Sequence, residues 1–581
     1  MIQLTALKSA KTLHDVATLL GFKPAAFAYV VLKLQGTDRY QKFDIPKRYG
    51  GTRQICAPLP KLKLVQERLS QLLQDCVEEI NEANGRPDQM AHGFKRDCSI
   101  ITNAVRHRNR RYVFNADLEI FFGTINFGRV RGFFIKDKDF SLNATVATLL
   151  AQIACYENAL PQGSPCSPVI SNLIGHVLDI HLVRLASRTG CTYSRYVDDL
   201  TFSTNKLLFP SSIAKREPSS PHEWMPGKEL TRLVTKSGFV LNPKKTRMQY
   251  RDSRQEVTGL IVNKKVNVRC EYRHTVRAMV HRYFTTGTFD FVTKIIDEKG
   301  VVVVNKIAGA TNQLHGMLGF IDGVDLYNKK ANPQKGNSRS NLTSKELMYR
   351  QFLMFKEFYT AKTAVIICEG KTDNVYIVHA IRALASSYPQ LATINADGTI
   401  KLNVRIFRYS GTSTGRILGI SGGSAPLGQL MRSYSSAIKR FTAPGQQNPI
   451  IVLIDNDEGA DPIYNTIKDI TKIKPKGTEQ FVHVAGNLYV SATPIKPGTD
   501  SSMIEDFFDG ATLSIKVDGK TFDPTIEAVS ATNYGKMIFA HKVVRASADK
   551  IDFNGFNQIL SNMVSVIDAH AKAHPPLVTT A

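Results

Sequence analysis

Residues 194–203 read SRYVDDLTFS, and this stretch decides the fold of the first half of the chain. Asp198 and Asp199 stand side by side between two short runs of β-prone residues. The spacing predicts a hairpin with both acids at its tip. Adjacent carboxylates repel one another, so the pair is costly as plain structure. Alone, such a pair is usually a solvated turn. A third acid changes the reading: FNADLEIFF (114–122) puts Asp117 at the end of an apolar strand. Acids gathered in this way suit divalent cations that activate an attacking hydroxyl and stabilise a leaving pyrophosphate.

Working outward, the context resembles the palm of a reverse transcriptase. Tyr196-Val197-Asp198-Asp199 looks like the YxDD box, and Asp117 with Phe121 and Phe122 resembles the first metal-binding motif. LPQGSPCSPVISNL (160–173) resembles the segment that positions nucleotide and template, and GFVLNPKKTR (238–247) the motif carrying a lysine near the incoming phosphates. All four occur in the family's order. NAVRH (103–107) and VTG (257–259) fit two boxes typical of bacterial retron reverse transcriptases. HGFKRDCSI (92–100) is similar as well, apart from charged residues where a glycine is often found. Group II intron enzymes share the palm but would continue into a maturase and often an HNH endonuclease, and neither pattern follows here.

The resemblance implies roles residue by residue. Asp117 and Asp198 would hold two Mg²⁺ ions, with Asp199 in support and the Leu118 carbonyl as a further ligand. Lys47 and Arg53, on a hairpin read at 40–58, would pair with the triphosphate. Gln162 would contact the nucleotide, and Gly163 would let the backbone come close. Phe122 would crowd the 2′-position and exclude ribonucleotides, with core packing as the other reading. Lys245 fits the family's Asn-x-x-Lys-Thr-Arg pattern and could act as general acid on the pyrophosphate. Asn103, His107, Val257, Thr258 and Gly259 would belong to the RNA-binding surface. So would Arg273, Arg277 and Arg282 of a thumb helix, where basic and aromatic residues alternate.

Charge points the same way. The chain has 581 residues and a net charge of +25, of which +22 falls in residues 1–350 and +3 in 351–581. A polyanion is the expected partner of the first part. Hydrophobic residues make up 43% and charged residues 22%, which excludes a largely disordered chain. Runs such as Val301–Val304 and Ala364–Cys368 are too short to span a bilayer, so no membrane partner is expected. The N-terminus lacks the unbroken apolar core of a signal peptide. Eight scattered cysteines without a CxxC pair suit a reducing cytosol, and a bacterial cytoplasmic location is expected.

The second half carries its own constellation. CEGKTD (368–373) puts Glu369 after one strand, with Asp373 following; LIDNDEG (453–459) puts Asp455 and Asp457 after another. Residues i and i+2 of a strand share a face, so both aspartates could reach one ion. This part resembles a Toprim domain, the module of topoisomerases, bacterial primases and OLD-family nucleases. About 230 residues leave no room for a topoisomerase gate, and Cys368 is the sole cysteine after Cys270, which argues against a primase zinc module. A nuclease is the best reading. Glu505 and Lys536 match, more loosely, a late acid and a lysine of OLD-type nucleases, for a second metal and for charge stabilisation. SGGS (421–424) supplies a tight turn.

The fold class expected is multidomain, α+β and α/β. A right-hand fingers, palm and thumb reverse transcriptase precedes an α/β Toprim domain with a mainly parallel sheet. Residues 1–263 would form fingers and palm, 264–327 the thumb, 328–344 a polar linker and 345–581 the Toprim effector. The resemblance implies an RNA-directed DNA polymerase that uses deoxynucleoside triphosphates and Mg²⁺. It would copy a structured noncoding RNA into multicopy single-stranded DNA. A metal-dependent nuclease acting on DNA or RNA would be fused to it, several chains could assemble around the RNA–DNA product, and the whole would serve anti-phage defence. The alternatives are a repair or priming polymerase with a Toprim end-processing domain, and a nucleic-acid-binding scaffold with dead sites. The intact YVDD and DxD boxes count against the scaffold.

Overall fold

Helical spacing of apolar residues builds the fingers. The computed structural model describes residues 2–34, 38–46, 51–85, 90–218, 220–296, 302–331, 342–526 and 529–575. The helix Pro60–Ala83 buries Leu62, Val65, Leu69, Leu72, Leu73 and Cys76 on one face, with Pro60 in its first turn, where a missing N–H costs nothing. Before it, Tyr40–Pro46 and Thr52–Pro58 pair antiparallel as the expected hairpin. Lys47 and the turn's Gly50 lie outside the described residues. Ahead of the hairpin, three short helices at Ile2–Ser9, Leu13–Leu19 and Pro24–Ala28 lead into a wider turn at Tyr29–Lys33. A capping box at Thr12 and Asp15 starts the second, and Gly21 sits with φ +70° after it.

The palm is a four-stranded antiparallel sheet in the order Thr192–Tyr196, Asp199–Thr204, Tyr112–Asp117, Arg247–Tyr250. Helices Phe127–Lys136, Ala144–Ala154 and Ser167–Thr189 contribute to a continuous apolar core with it. The last of these is long and apolar enough, by length and composition, to cross a membrane. In this fold it buries Ile170, Ile174, Leu178 and Leu182 in the palm core and carries the buried Asp179. A search for unbroken apolar runs passes over it because its polar residues interrupt the sequence. The segment at 204–228 contains a second hairpin, Ala214–Glu217 with Ser220–Pro226.

The chain clusters into two compact units. The first holds Met1–Arg273 together with 323–331 of the helix Thr311–Ala331; the second takes in His274–Ile295 and Val302–Asp322 as well as the described residues from 342 onward. Most of the segment read from sequence as the thumb thus packs with C-terminal residues. Tyr283 stacks edge-on against Phe355 at 4.7 Å, and Phe284 lies 4.9 Å from Phe441, ring centre to ring centre. Helix Thr311–Ala331 also runs past residue 328, where the polar composition had suggested a linker.

The second unit is built on a five-stranded sheet ordered Arg405–Ile406, Val365–Cys368, Ile450–Ile454, Leu488–Ala492, Val482–Ala485. Its first three pairings are parallel and the last is antiparallel. The two central strands Val365–Cys368 and Ile450–Ile454 are buried at every residue, as strands covered on both faces must be. Both end at the same edge of the sheet, where Glu369 and Asp455 follow.

Candidate active sites

Three acids meet at one end of the palm sheet. Strand pairing sets Asp117 opposite Asp199, and the main-chain N–H of Leu118 donates to the carbonyl of Asp198 at 2.9 Å. The hairpin turn between them runs through Val197, at φ +60°. Asp117 is buried, and its carboxylate accepts from the Lys245 ammonium at 2.8 Å and from the Asn242 amide at 3.4 Å. The N–H of Asn242 also donates to the Asp117 carbonyl at 2.8 Å. Asn242 lies inside the quoted motif, and the sequence reading gave it no role. Burial, then repulsion from Asp117, raises the pKa of Asp198, while Lys245 and Arg53 pull it down. Asp199 is open to water at its tip, but the protein crowding it and the two neighbouring acids push it up to about 7. Lys245 is held above its ordinary value: burial opposes its charge, and the three aspartates more than offset that.

The fingers hairpin docks on the PQG turn. The N–H of Cys56 donates to the Gln162 carbonyl at 2.8 Å, and Gly163, at φ +121°, lies so close that a Cβ would sit 2.8 Å from the Cys56 carbonyl oxygen. Gln66, fully buried, donates to Tyr40 and to the Ile153 carbonyl and accepts from Ser164. It ties the helix Pro60–Ala83 to this turn, a role that no motif announces. Phe122 is half-buried, stacked edge-on against the buried Phe121.

NAVRH and VTG are only partly buried: Val105, Arg106 and Thr258 are half-buried and Gly259 is exposed. Asn103 and His107 are wholly buried, so neither touches RNA directly, contrary to the sequence expectation. Ser194 donates to the Asn103 side chain at 2.6 Å, which leaves His107 Nε2 to donate to Ser194 and Nδ1 to accept from Ser203, each at 2.7 Å. Burial drives the His107 pKa down to about 3. Val257 is buried too, and Thr258 and Gly259 form a left-handed turn whose Thr258 hydroxyl donates to the Ile100 carbonyl. The boxes therefore brace each other. Charged groups facing water nearby include arginines: Arg108 is exposed between the NAVRH helix and the palm, and the N–H of the exposed Arg251 donates to the Arg111 carbonyl. On helix Cys270–Thr286, Arg277 and Arg282 are exposed and Arg273 is half-buried, whereas Tyr283 turns into the core with Val276, Met279 and Val280.

In the second unit the acids converge from three segments, and a fourth brings Lys536. Asp373 is buried and accepts from the Gly370 N–H at 2.7 Å. Asp455 accepts from the Ile504 N–H at 2.8 Å, and Asp457 caps a short helix through the Gly459 N–H. Between them, Asn456 is buried and its amide donates to the Gly477 and Thr493 carbonyls. Glu505 is 2% exposed; Lys536 donates to its Oε2 at 2.9 Å, and its Oε1 is buried without a hydrogen-bond partner. Burial raises Glu369 to about 7, reinforced by Asp373 and Asp457. It raises Asp455 to about 8, reinforced by Asp373 and Glu505. The Glu369 carbonyl accepts from the Tyr409 hydroxyl and from the Gly423 N–H of the SGGS turn.

Among the described residues, no three His, Cys, Asp or Glu side chains are grouped so as to hold a metal ion by themselves. Magnesium, which keeps several waters and takes further ligands from substrate phosphates, does not require such a group. The orphaned Glu505 oxygen and the acids raised by crowding are what a cation would satisfy.

A sheet of this order, with acids at one corner and a lysine on the first of them, defines a polymerase palm. Residues 45–269 match the family model described as reverse transcriptase (RNA-dependent DNA polymerase). The retron Mx65 reverse transcriptase of Myxococcus xanthus is 32% identical over 289 residues, covering 47% of this chain and 63% of that one. The retron Mx162 enzyme of the same organism is 35% identical, covering 45% and 54%. The retron Ec86 enzyme of Escherichia coli is 30% identical, covering 42% and 70%. The chain belongs to the retron reverse transcriptase family. It spans less than two thirds of the length of the two Myxococcus relatives.

Proposed function

We propose that the protein is an RNA-directed DNA polymerase that copies a structured partner RNA into single-stranded DNA from deoxynucleoside triphosphates. The observation that carries this reading is the corner where Asp117 faces Asp199, Asp198 is fixed to Leu118, and Lys245 lies on Asp117. Asp117, Asp198 and the Leu118 carbonyl would hold Mg²⁺, which when bound activates the primer hydroxyl and offsets charge on the leaving pyrophosphate. Arg53 on the docked hairpin would bind the triphosphate, as Lys47 would. Gln162 and Gly163 would line the nucleotide, and Phe122 would bar the 2′-hydroxyl. Lys245, once Asp117 is satisfied by a cation, would be free to give a proton to the pyrophosphate. The exposed Arg277 and Arg282 would grip the RNA backbone. Asp198→Asn removes a ligand charge and keeps the shape. Purified from cells with its nucleic acid, this variant should carry RNA and no newly made DNA; new DNA on it would exclude Asp198 as a ligand.

The second unit is best read as a Toprim-like, Mg²⁺-dependent nuclease, because Glu369, Asp373, Asp455, Asp457 and Glu505 gather with Lys536 at one sheet edge. Lys536 would stabilise charge developing on the cleaved phosphate. Its target would be DNA or RNA, and the RNA–DNA product, or several chains around it, would restrain it until infection, within a bacterial cytoplasm. Glu369→Gln should leave DNA synthesis intact and abolish cleavage and protection against phage. Cleavage at the wild-type rate by a folded variant would remove Glu369 from the site.

A further inference from the structure

The YVDD turn rests on a feature that its motif does not contain. Val197 is β-branched and sits at φ +60°, a backbone region such residues avoid. Conformations of this kind persist only where the surroundings over-determine them. Arg195, two residues earlier, is wholly buried and divides its guanidinium between two tasks. One side donates to Asp179 through Nε at 2.9 Å and Nη2 at 2.7 Å. The other, Nη1, donates to the Val197 carbonyl at 3.0 Å and to Asn172 at 3.3 Å. Asp179 is itself buried and also accepts from Tyr193 at 2.7 Å. On the opposite side, Gly93 packs so tightly that a Cβ would lie 2.6 Å from the Val197 side chain.

We infer that Arg195, oriented by Asp179, is a positioning residue that holds the Val197 carbonyl and thereby aims Asp198 at the reacting corner. A buried ion pair is weak as a stabiliser, since apolar residues of like size often do as well. A lysine or a hydrophobic residue could join helix Ser167–Thr189 to strand Thr192–Tyr196. Only a planar fork can bond Asp179 and, from its other edge, the carbonyl of the turn. The proposal rests on the polymerase reading for its consequence and on the geometry alone for the clamp.

The test combines Arg195→Met with Asp179→Leu in the full-length protein, so that no unpaired charge is left buried. Wild type and variant are compared by thermal midpoint, by primer extension on poly(rA)–oligo(dT), and by hydrogen–deuterium exchange. The expected result is a folded variant whose kcat falls about tenfold or more, as small misplacements of reacting groups cause, with KM for dTTP little changed. Its peptide across Tyr196–Leu200 should exchange faster, with exchange elsewhere unchanged. Arg195→Lys, which keeps the ion pair but cannot reach both partners, should lose kcat to a lesser degree. A folded double variant with wild-type kcat, or with unchanged exchange at the turn, overturns the proposal. If the double variant does not fold, full activity of Arg195→Lys overturns it. A wild-type protein that extends no primer overturns the polymerase reading instead, and the exchange comparison still decides the clamp.

Discussion

Replacing Gly163 with alanine should undock the fingers hairpin. The new Cβ would lie 2.8 Å from the Cys56 carbonyl oxygen, 3.1 Å from its carbon and 3.0 Å from the Ile55 side chain. Two of those atoms are backbone and cannot rotate away. The position also has φ +121°, where a side chain adds about 1–3 kcal/mol of strain. Relief by moving the hairpin breaks the Cys56–Gln162 hydrogen bond, worth about 1 kcal/mol. Even the lower sum, about 2 kcal/mol, shifts the docking equilibrium constant roughly 30-fold. Arg53 rides on this hairpin, so KM for the nucleotide should rise by up to that factor. The thermal midpoint should hardly move, because the strands of the hairpin are mostly exposed and add little to the core. Steady-state primer extension with varied dTTP, beside a thermal melt, makes the measurement. Unchanged KM in a folded variant would refute the coupling of hairpin and turn.

Other outcomes follow from burial. A fragment ending near residue 340 keeps every palm motif but removes Phe352, Phe355 and Phe441, the partners of Tyr283 and Phe284; it should be poorly soluble and inactive, whereas a soluble, active fragment would show that the thumb folds alone. His107, held neutral with a pKa of about 3 against 6.5 when unfolded, contributes stability present above about pH 6.5 and lost as pH falls toward 3. From pH 7 to pH 5 the His107 share alone should fall by about 2 kcal/mol, while Asp199, raised to about 7, acts in the opposite sense; the check is therefore the difference between wild type and His107→Gln in denaturant midpoint, which should shift in the variant's favour toward pH 5, and equal slopes in both proteins would contradict it.

Acids at strand ends were legible in the sequence because period-2 alternation and the turn between the runs fix where they stand. Pairing across the sheet was less so. Arg195 and Asp179 are 16 residues apart, one on a strand and one on a helix, and nothing in either stretch marks them as partners. Likewise Lys245 reads as a phosphate ligand, yet without phosphate its strongest attractor is Asp117. The alternation of basic and aromatic residues on the thumb helix looked like one binding face; helical geometry splits it, sending Tyr283 inward and leaving Arg277 and Arg282 outside. Glu505 and Lys536, 31 residues apart, meet at 2.9 Å, a proximity that spacing alone could not supply.

Under the proposed function, the buried chain of hydrogen bonds from Asn103 through Ser194 and His107 to Ser203 leaves the choice of RNA to residues outside it. The buried side chains Asn103, Ala104 and His107 are constrained by the protein's own interior, whichever nucleic acid lies outside. Partner preference can then drift on the water-facing arginines around them, such as Arg108 and Arg251, without passing through a misfolded intermediate. A substitution within this network would then be read in the protein's stability, and one at Arg108 or Arg251 in its nucleic-acid preference.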